Sequence, residues 1–149
     1  MTNPLILVTG ATGTVGSEVV KQLVEAGQKV SALVRDPAKA TKFRNAVEVV
    51  KGDLSKPETL VAAFAGVDKA FVVSVGPDLA KLEANAFDAA KKASVNHIVK
   101  LSGRHLDADF MAGTALAHWH NESERRLRAL GTAWTILRPA ACWKRPSSP

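Results

Sequence analysis

Apolar residues fall in short unbroken runs along this chain, and between the runs the pattern changes to one apolar position every three or four. The runs are 5–9, 29–34, 47–51, 69–74, 97–101 and 134–137, rich in valine, isoleucine and leucine. They are continuous more than alternating, as strands of a parallel sheet buried on both faces must be. The segments between them read as helices with recognisable ends. Over 14–26, Val19, Val20, Leu23 and Val24 share one face, and Gly27 stands where a left-handed residue closes a helix. Ser55-Lys56-Pro57-Glu58 has the form of a capping box with proline in the first turn, opening a helix to about residue 65. Asp78 is placed to cap an alanine-rich helix that runs to about residue 94. A last helix covers 113–130 and is closed by Gly131.

Strands and helices in strict alternation imply right-handed crossovers, so the pattern predicts an α/β domain with a doubly wound parallel sheet over 1–139. Beyond Leu137-Arg138-Pro139 the periodicity stops. Pro146 and Pro149 with Ser147 and Ser148 make 140–149 an irregular tail, expected to be disordered.

Composition changes this picture little. At 149 residues the chain can bury roughly two-thirds of its unfolded surface. No apolar run approaches the ~20 residues of a membrane span, and the N-terminus lacks a basic region before an apolar stretch, so neither a membrane segment nor a signal peptide is expected. Cys142 is the single cysteine, which rules out an internal disulfide and agrees with a cytoplasmic location. The net charge of +6 raises nucleic acid as a partner. Its densest basic stretch is Arg125, Arg126 and Arg128 on a helix that also carries Glu122 and Glu124. That interleaving reads as a solvated helix face, so no nucleic-acid partner is expected.

The chemistry begins at Thr9-Gly10-Ala11-Thr12-Gly13-Thr14-Val15-Gly16, directly after the first strand and opening the first helix. Gly10 permits the tight turn, Gly13 lets the backbone approach a diphosphate, and Gly16 lets helix and strand pack closely. The helix N-terminus supplies amides and a positive dipole end. In strand-turn-helix context this is a dinucleotide-binding loop of a Rossmann fold, for which the strand order is 3-2-1-4-5-6. The second strand ends Leu33-Val34-Arg35-Asp36, where NAD enzymes carry an acidic residue for the ribose hydroxyls. Arg35, with Lys39 nearby, favours a 2′-phosphate and therefore NADP(H) over NAD(H). Asp36 before Pro37 reads as a helix cap. Asp53, after Gly52, reads either as an acceptor for the adenine amino group with Leu54 packing the ring, or as the residue that ends a strand and starts a turn. Ser74, ending the fourth strand, borders the crevice where the ribose and nicotinamide lie.

The Gly-x-x-Gly-x-x-Gly spacing, Leu33-Val34-Arg35-Asp36-Pro37, Gly52-Asp53-Leu54, Lys100-Leu101-Ser102-Gly103 and Trp134-Thr135-Ile136-Leu137-Arg138-Pro139 together resemble the NmrA-like family of atypical short-chain dehydrogenases. The resemblance covers residues 5 to about 140. It implies an NADPH-dependent oxidoreductase that passes hydride to a quinone-like or other small electrophilic acceptor. Members of the family continue into a smaller substrate-binding part, whereas this sequence stops just after the sixth strand, as a truncated, frame-shifted or minimal copy would.

Short-chain dehydrogenases use Tyr-x-x-x-Lys after the fifth strand, and this chain contains no tyrosine. In its place stands His118-Trp119-His120-Asn121-Glu122-Ser123-Glu124. At roughly 100° per residue, Leu116, His120, Ser123, Leu127 and Leu130 share the inward face, with Glu124 at its edge. His120 and Glu124 are the catalytic candidates, and His-x-x-x-Glu resembles the NmrA-like pattern. An ordinary helix pair between them is the alternative. Ser102 either contacts the nicotinamide or caps its turn. His118 and His120 diverge on a helix, so no metal site is expected. The absent tyrosine and short C-terminus also fit a non-catalytic NADP(H) sensor acting on a regulatory protein partner. They fit an inactive fragment as well, whose exposed apolar surface would favour a homodimer.

Overall fold

The computed structural model describes residues 3–104 and 112–139, with Arg44 described by its backbone alone. His105, Cys142, Trp143 and the tail expected at 140–149 lie outside the described residues.

Six strands form one parallel sheet: β1 (Leu5–Val8), β2 (Lys29–Val34), β3 (Glu48–Lys51), β4 (Lys69–Val72), β5 (His97–Leu101) and β6 (Ala133–Leu137). Their order is β3-β2-β1-β4-β5-β6, as the alternation and the glycine loop predicted. Register pairs Ile6 with Val30 on one side of β1 and Val8 with Phe71 on the other. The chain moves outward from β1 to β3 and then returns to β4, so the order reverses between β1 and β4. Helices are α1 (Thr14–Glu25), α2 (Leu60–Phe64), α3 (Leu79–Lys92) and α4 (Ala115–Ala129). Between β2 and β3 the connection is a 3₁₀ segment, Pro37–Ala46, capped by the Asp36 carboxylate on the Ala38 amide at 3.0 Å.

Each central strand sends alternate side chains into two cores, which explains its unbroken apolar run. Leu7, Leu33, Ala70, Val72 and Ile98 face Leu60, Phe64, Phe87 and Leu127 of α2, α3 and α4. Val8, Val30, Ala32, Val34 and Phe71 face Val20 of α1 and Ala40 and Phe43 of the 3₁₀ segment. Burying Phe64 and Phe87 contributes about 2–3 kcal/mol each. The strand β6 departs from the expectation of two-sided burial. It has a single strand neighbour, and Trp134 and Leu137 are exposed.

Gly27 closes α1 with φ +76° in a Schellman motif, its amide donating to Val24 and that of Gln28 to Leu23. Two caps differ from expectation. Ser55 does not open a capping box: its amide and hydroxyl donate to Asp53 Oδ1 at 2.9 and 2.7 Å, and the chain enters α2 through the turn Pro57–Thr59. Asp78 precedes α3 but makes no side-chain cap. In α4, Leu116 is 44% exposed, and Ala117 takes the inward place assigned to it. Glu124 is fully buried, on the side of this face next to Ala117, with His120 at its centre.

Candidate cofactor site and the buried network beside it

The residues singled out from sequence gather at the C-terminal edge of the sheet, on both sides of the point where strand order reverses. Gly10 turns the chain with φ +58°, and the Gly13 amide donates to its carbonyl at 3.0 Å. A Cβ on Gly16 would stand 2.0 Å from that same oxygen, so only glycine lets α1 start this close to β1. The N-cap of α1 is Gly13, which brings no side-chain cap, and the first turn holds no acidic residue. The amides of Thr14, Val15 and Gly16 are therefore left without a helical acceptor, facing outward at the positive end of a three-turn helix. That donor set fits a diphosphate. Thr9, fully buried, holds the two loops together: its hydroxyl donates to the Val73 carbonyl at 3.2 Å and accepts from the Val73 amide at 3.0 Å.

Arg35 and Lys39 follow β2, both exposed, and the Arg35 charge acts on Asp53 after β3. Hydrogen bonds from the Ser55 hydroxyl and amide hold the Asp53 carboxyl below its ordinary range. One Asp53 oxygen is thus committed to its turn. Leu54 is half-buried against the core, and its carbonyl accepts from Asn85 at 2.7 Å. Lys42, which the sequence reading passed over, donates to the Thr12 carbonyl at 3.2 Å and brings an ammonium to the glycine turn itself.

Toward β5 the structure adds a second constellation. Lys100 and Glu83 are 0% exposed and 2.5 Å apart. Lys100 Nζ also reaches the Leu101 carbonyl at 3.3 Å and His120 Nδ1 at 3.2 Å. Glu83 further accepts from Ser123 and, at 3.0 Å, from the Ser74 hydroxyl. Burial pushes the Glu83 carboxyl up, and Lys100, Ser123 and Ser74 pull it back. His120 is 8% exposed, and burial followed by the charges of Lys100 and Arg138 pushes its imidazole down to about 4. His120 and Glu124 do not form the helix pair that was the alternative reading. Glu124 instead accepts from Ser102 at 2.8 Å, from Arg128 at 3.2 Å and from Arg138, fastening the ends of β5 and β6 to α4.

Of the residues in this network, His120, Ser74, Ser102 and Glu124 had been singled out from sequence, and Glu83, Lys100, Ser123 and Arg138 had not. A signal existed for two of them. Lys100 interrupts an apolar strand run and Glu83 an alanine-rich helix, and a charge at an inward position requires a partner. Of the α4 arginines, Arg125 and Arg126 lie on a solvated face and pair with Glu122 at 2.6 and 3.5 Å, while Arg128 turns to buried Glu124. No described helix is long and apolar enough to cross a membrane.

A parallel sheet in this order, with a glycine turn and an uncapped helix at its reversal point, defines a dinucleotide-binding Rossmann domain. The family model for NAD(P)H-binding proteins matches residues 10–148. The chain belongs to that family, in agreement with the NmrA-like resemblance of its motifs. It is 42% identical over 137 residues to the NAD(P)H azoreductase of Xenophilus azovorans, covering 91% of this chain and 47% of that protein. Among solved structures, the triphenylmethane reductase of Citrobacter sp. complexed with NADP(H) superposes with TM-score 0.81 at 34% identity, covering 91% of this chain and 49% of that one. The NADPH-dependent quinone oxidoreductase of Escherichia coli, complexed with NADPH, gives TM-score 0.77 at 32% identity, covering 89% and 48%. The chain thus spans about half the length of the relatives it matches.

Proposed function

We propose that this chain is the coenzyme-binding part of an NADPH-dependent reductase acting on a small conjugated electrophile of the azo, triarylmethane or quinone kind. The observation that carries this reading is the uncapped N-terminus of α1, set against the glycine turn at the reversal point. When bound, the nicotinamide coenzyme supplies a hydride. Gly10, Thr12, Gly13, Thr14, Val15 and Gly16 wrap the diphosphate with backbone, and Arg35 with Lys39 takes the ribose 2′-phosphate. Asp53 and Leu54 stand at the adenine end, Ser74 and Ser102 at the nicotinamide end. His120 sits in the second turn of α4, beside the last residues of β5, and so borders the same end of the crevice. The relatives are named for acceptors that are electrophilic in themselves, and an acceptor of that type fits a site that brings no tyrosine.

The test is calorimetric titration with NADPH and NADH, repeated on Arg35→Ala. A charge-assisted hydrogen bond contributes about 1.5–3 kcal/mol, so the variant should lose about 10- to 100-fold in NADPH affinity and nothing for NADH. Equal loss for both coenzymes would reject the 2′-phosphate assignment. No binding of either would reject the reading as a whole.

A further inference from the structure

We infer that Lys100 is a positioning residue that locks His120 as the neutral tautomer with its proton on Nε2, so that the ring presents a hydrogen-bond donor to the crevice. The inference rests on the reading of the crevice given above, and its structural half stands without it.

An ammonium has three protons and no acceptor. Lys100 Nζ has three partners: the Glu83 carboxylate at 2.5 Å, the Leu101 carbonyl at 3.3 Å and His120 Nδ1 at 3.2 Å. Two of these are acceptor oxygens, so the third proton points at Nδ1, which must offer its lone pair. A neutral imidazole with an unprotonated Nδ1 carries its hydrogen on Nε2. No described hydrogen bond reaches Nε2, and no buried side-chain nitrogen or oxygen among the described residues lacks a partner. Nε2 therefore lies on the small accessible part of the ring.

The charged groups around the ring keep it neutral. Lys100 on β5 and Arg138 after β6 are the cations that act on it. Glu83 on α3 is already satisfied by Lys100, Ser123 and Ser74, and Glu124 by Ser102, Arg128 and Arg138. Neither carboxylate is left to draw a second proton onto the ring. A lone imidazole in a crevice is an ambiguous group, donor or acceptor at each nitrogen. Here the buried lysine removes the ambiguity. The donor it leaves can meet the negative charge that grows on an acceptor oxygen or nitrogen during reduction, the task a tyrosine hydroxyl performs in ordinary short-chain dehydrogenases.

The experiment is nitrogen NMR of the histidine side chains in the coenzyme-free chain, with His120 identified by its loss in His120→Asn. The expected result is an unprotonated Nδ1 and a protonated Nε2, unchanged from pH 8 to pH 5. A proton on Nδ1, or titration at the ordinary imidazole pH, overturns the inference whatever the coenzyme does. In Glu83→Leu/Lys100→Met, which removes both buried charges together, the ring should lose its single tautomer and titrate closer to its ordinary value. Retention of the Nε2–H form in that variant would show that Lys100 is not the lock. Turnover with a quinone supplies the second arm: the double variant should lose kcat at least tenfold with KM for NADPH unchanged. NADPH binding by calorimetry separates the two claims, since its failure rejects the coenzyme reading and leaves the tautomer result standing.

Discussion

Lys100→Met strikes the buried network at its centre. The native side chain is fully enclosed, 2.5 Å from an equally enclosed Glu83, and all three of its protons are used. Methionine fills a similar volume but leaves Glu83 with two serine hydroxyls and no described cation. Breaking a buried pair from one side costs about 3–5 kcal/mol, because the remaining charge is desolvated and uncompensated. That is a large share of the about 5–15 kcal/mol by which domains are stable. Glu83→Leu alone should cost a comparable amount for the mirror-image reason. The double variant removes both charges at little change in volume. It leaves Ser74, Ser123, His120 and the Leu101 carbonyl short of one partner each, about 1 kcal/mol apiece, offset in part by release from desolvating two ions. The unfolding free energies of the native chain and the three variants should therefore close a cycle with a coupling of at least about 2 kcal/mol. Urea denaturation followed by far-ultraviolet circular dichroism measures them, provided the slopes agree between variants. If each single substitution costs under about 1 kcal/mol and the costs add, the pair is solvated and the network as described is wrong.

Gly16→Ala drives a Cβ to within 2.0 Å of a backbone oxygen, so the turn must open, and NADPH binding measured by calorimetry should be lost while the circular dichroism spectrum persists. The pH dependence of stability follows from His120, whose imidazole titrates at about 4 folded against 6.5 ordinarily. The unfolded ring takes up a proton near pH 6.5 that the folded ring refuses until about pH 4. Stability from this group is therefore complete above pH 6.5 and drains away as the pH falls toward 4, by on the order of 3 kcal/mol. His120→Asn should flatten that slope in denaturant titrations across the window, and an unchanged slope would count against the neutral ring. Ser94 holds φ +59° in the same Schellman position at the end of α3 that Gly27 holds at the end of α1. Ser94→Gly should therefore raise stability by about 0.5–1 kcal/mol, read as a higher denaturation midpoint.

The central strands were legible because burial on both faces leaves an unambiguous mark, a run of apolar residues with no polar gap. β6 was misplaced on the same grounds: it is as apolar as any core strand, yet at the edge Ile136 packs against the core while Trp134 and Leu137 stay exposed. Sequence carries composition, and exposure is set by which neighbour arrives. The glycine turn was legible because Gly10 at φ +58° and Gly16, where a Cβ would stand 2.0 Å from the Gly10 carbonyl, answer to steric demands that only glycine meets. Helix α4 was legible to within one position, with Ala117 inward where Leu116 was expected, because small residues give weak phase information. Local chemistry defeated the capping box, where Asp53 competed for Ser55 and won. The network around Lys100 depends on four elements meeting, Ser74 after β4, Glu83 on α3, Lys100 on β5 and Ser123 on α4, and no local pattern announces such a meeting.

The hydroxyl of Thr9 has a thermodynamic corollary. By donating to Val73 and accepting from it, Thr9 rivets the loops after β1 and β4 before any coenzyme arrives. The floor of the crevice is rigid in advance, so association has little chain entropy to extinguish there and need not wait for those loops to fold. Coenzyme capture at that floor should then proceed at the pace of diffusion and side-chain adjustment, with affinity differences among variants appearing in how long the coenzyme stays.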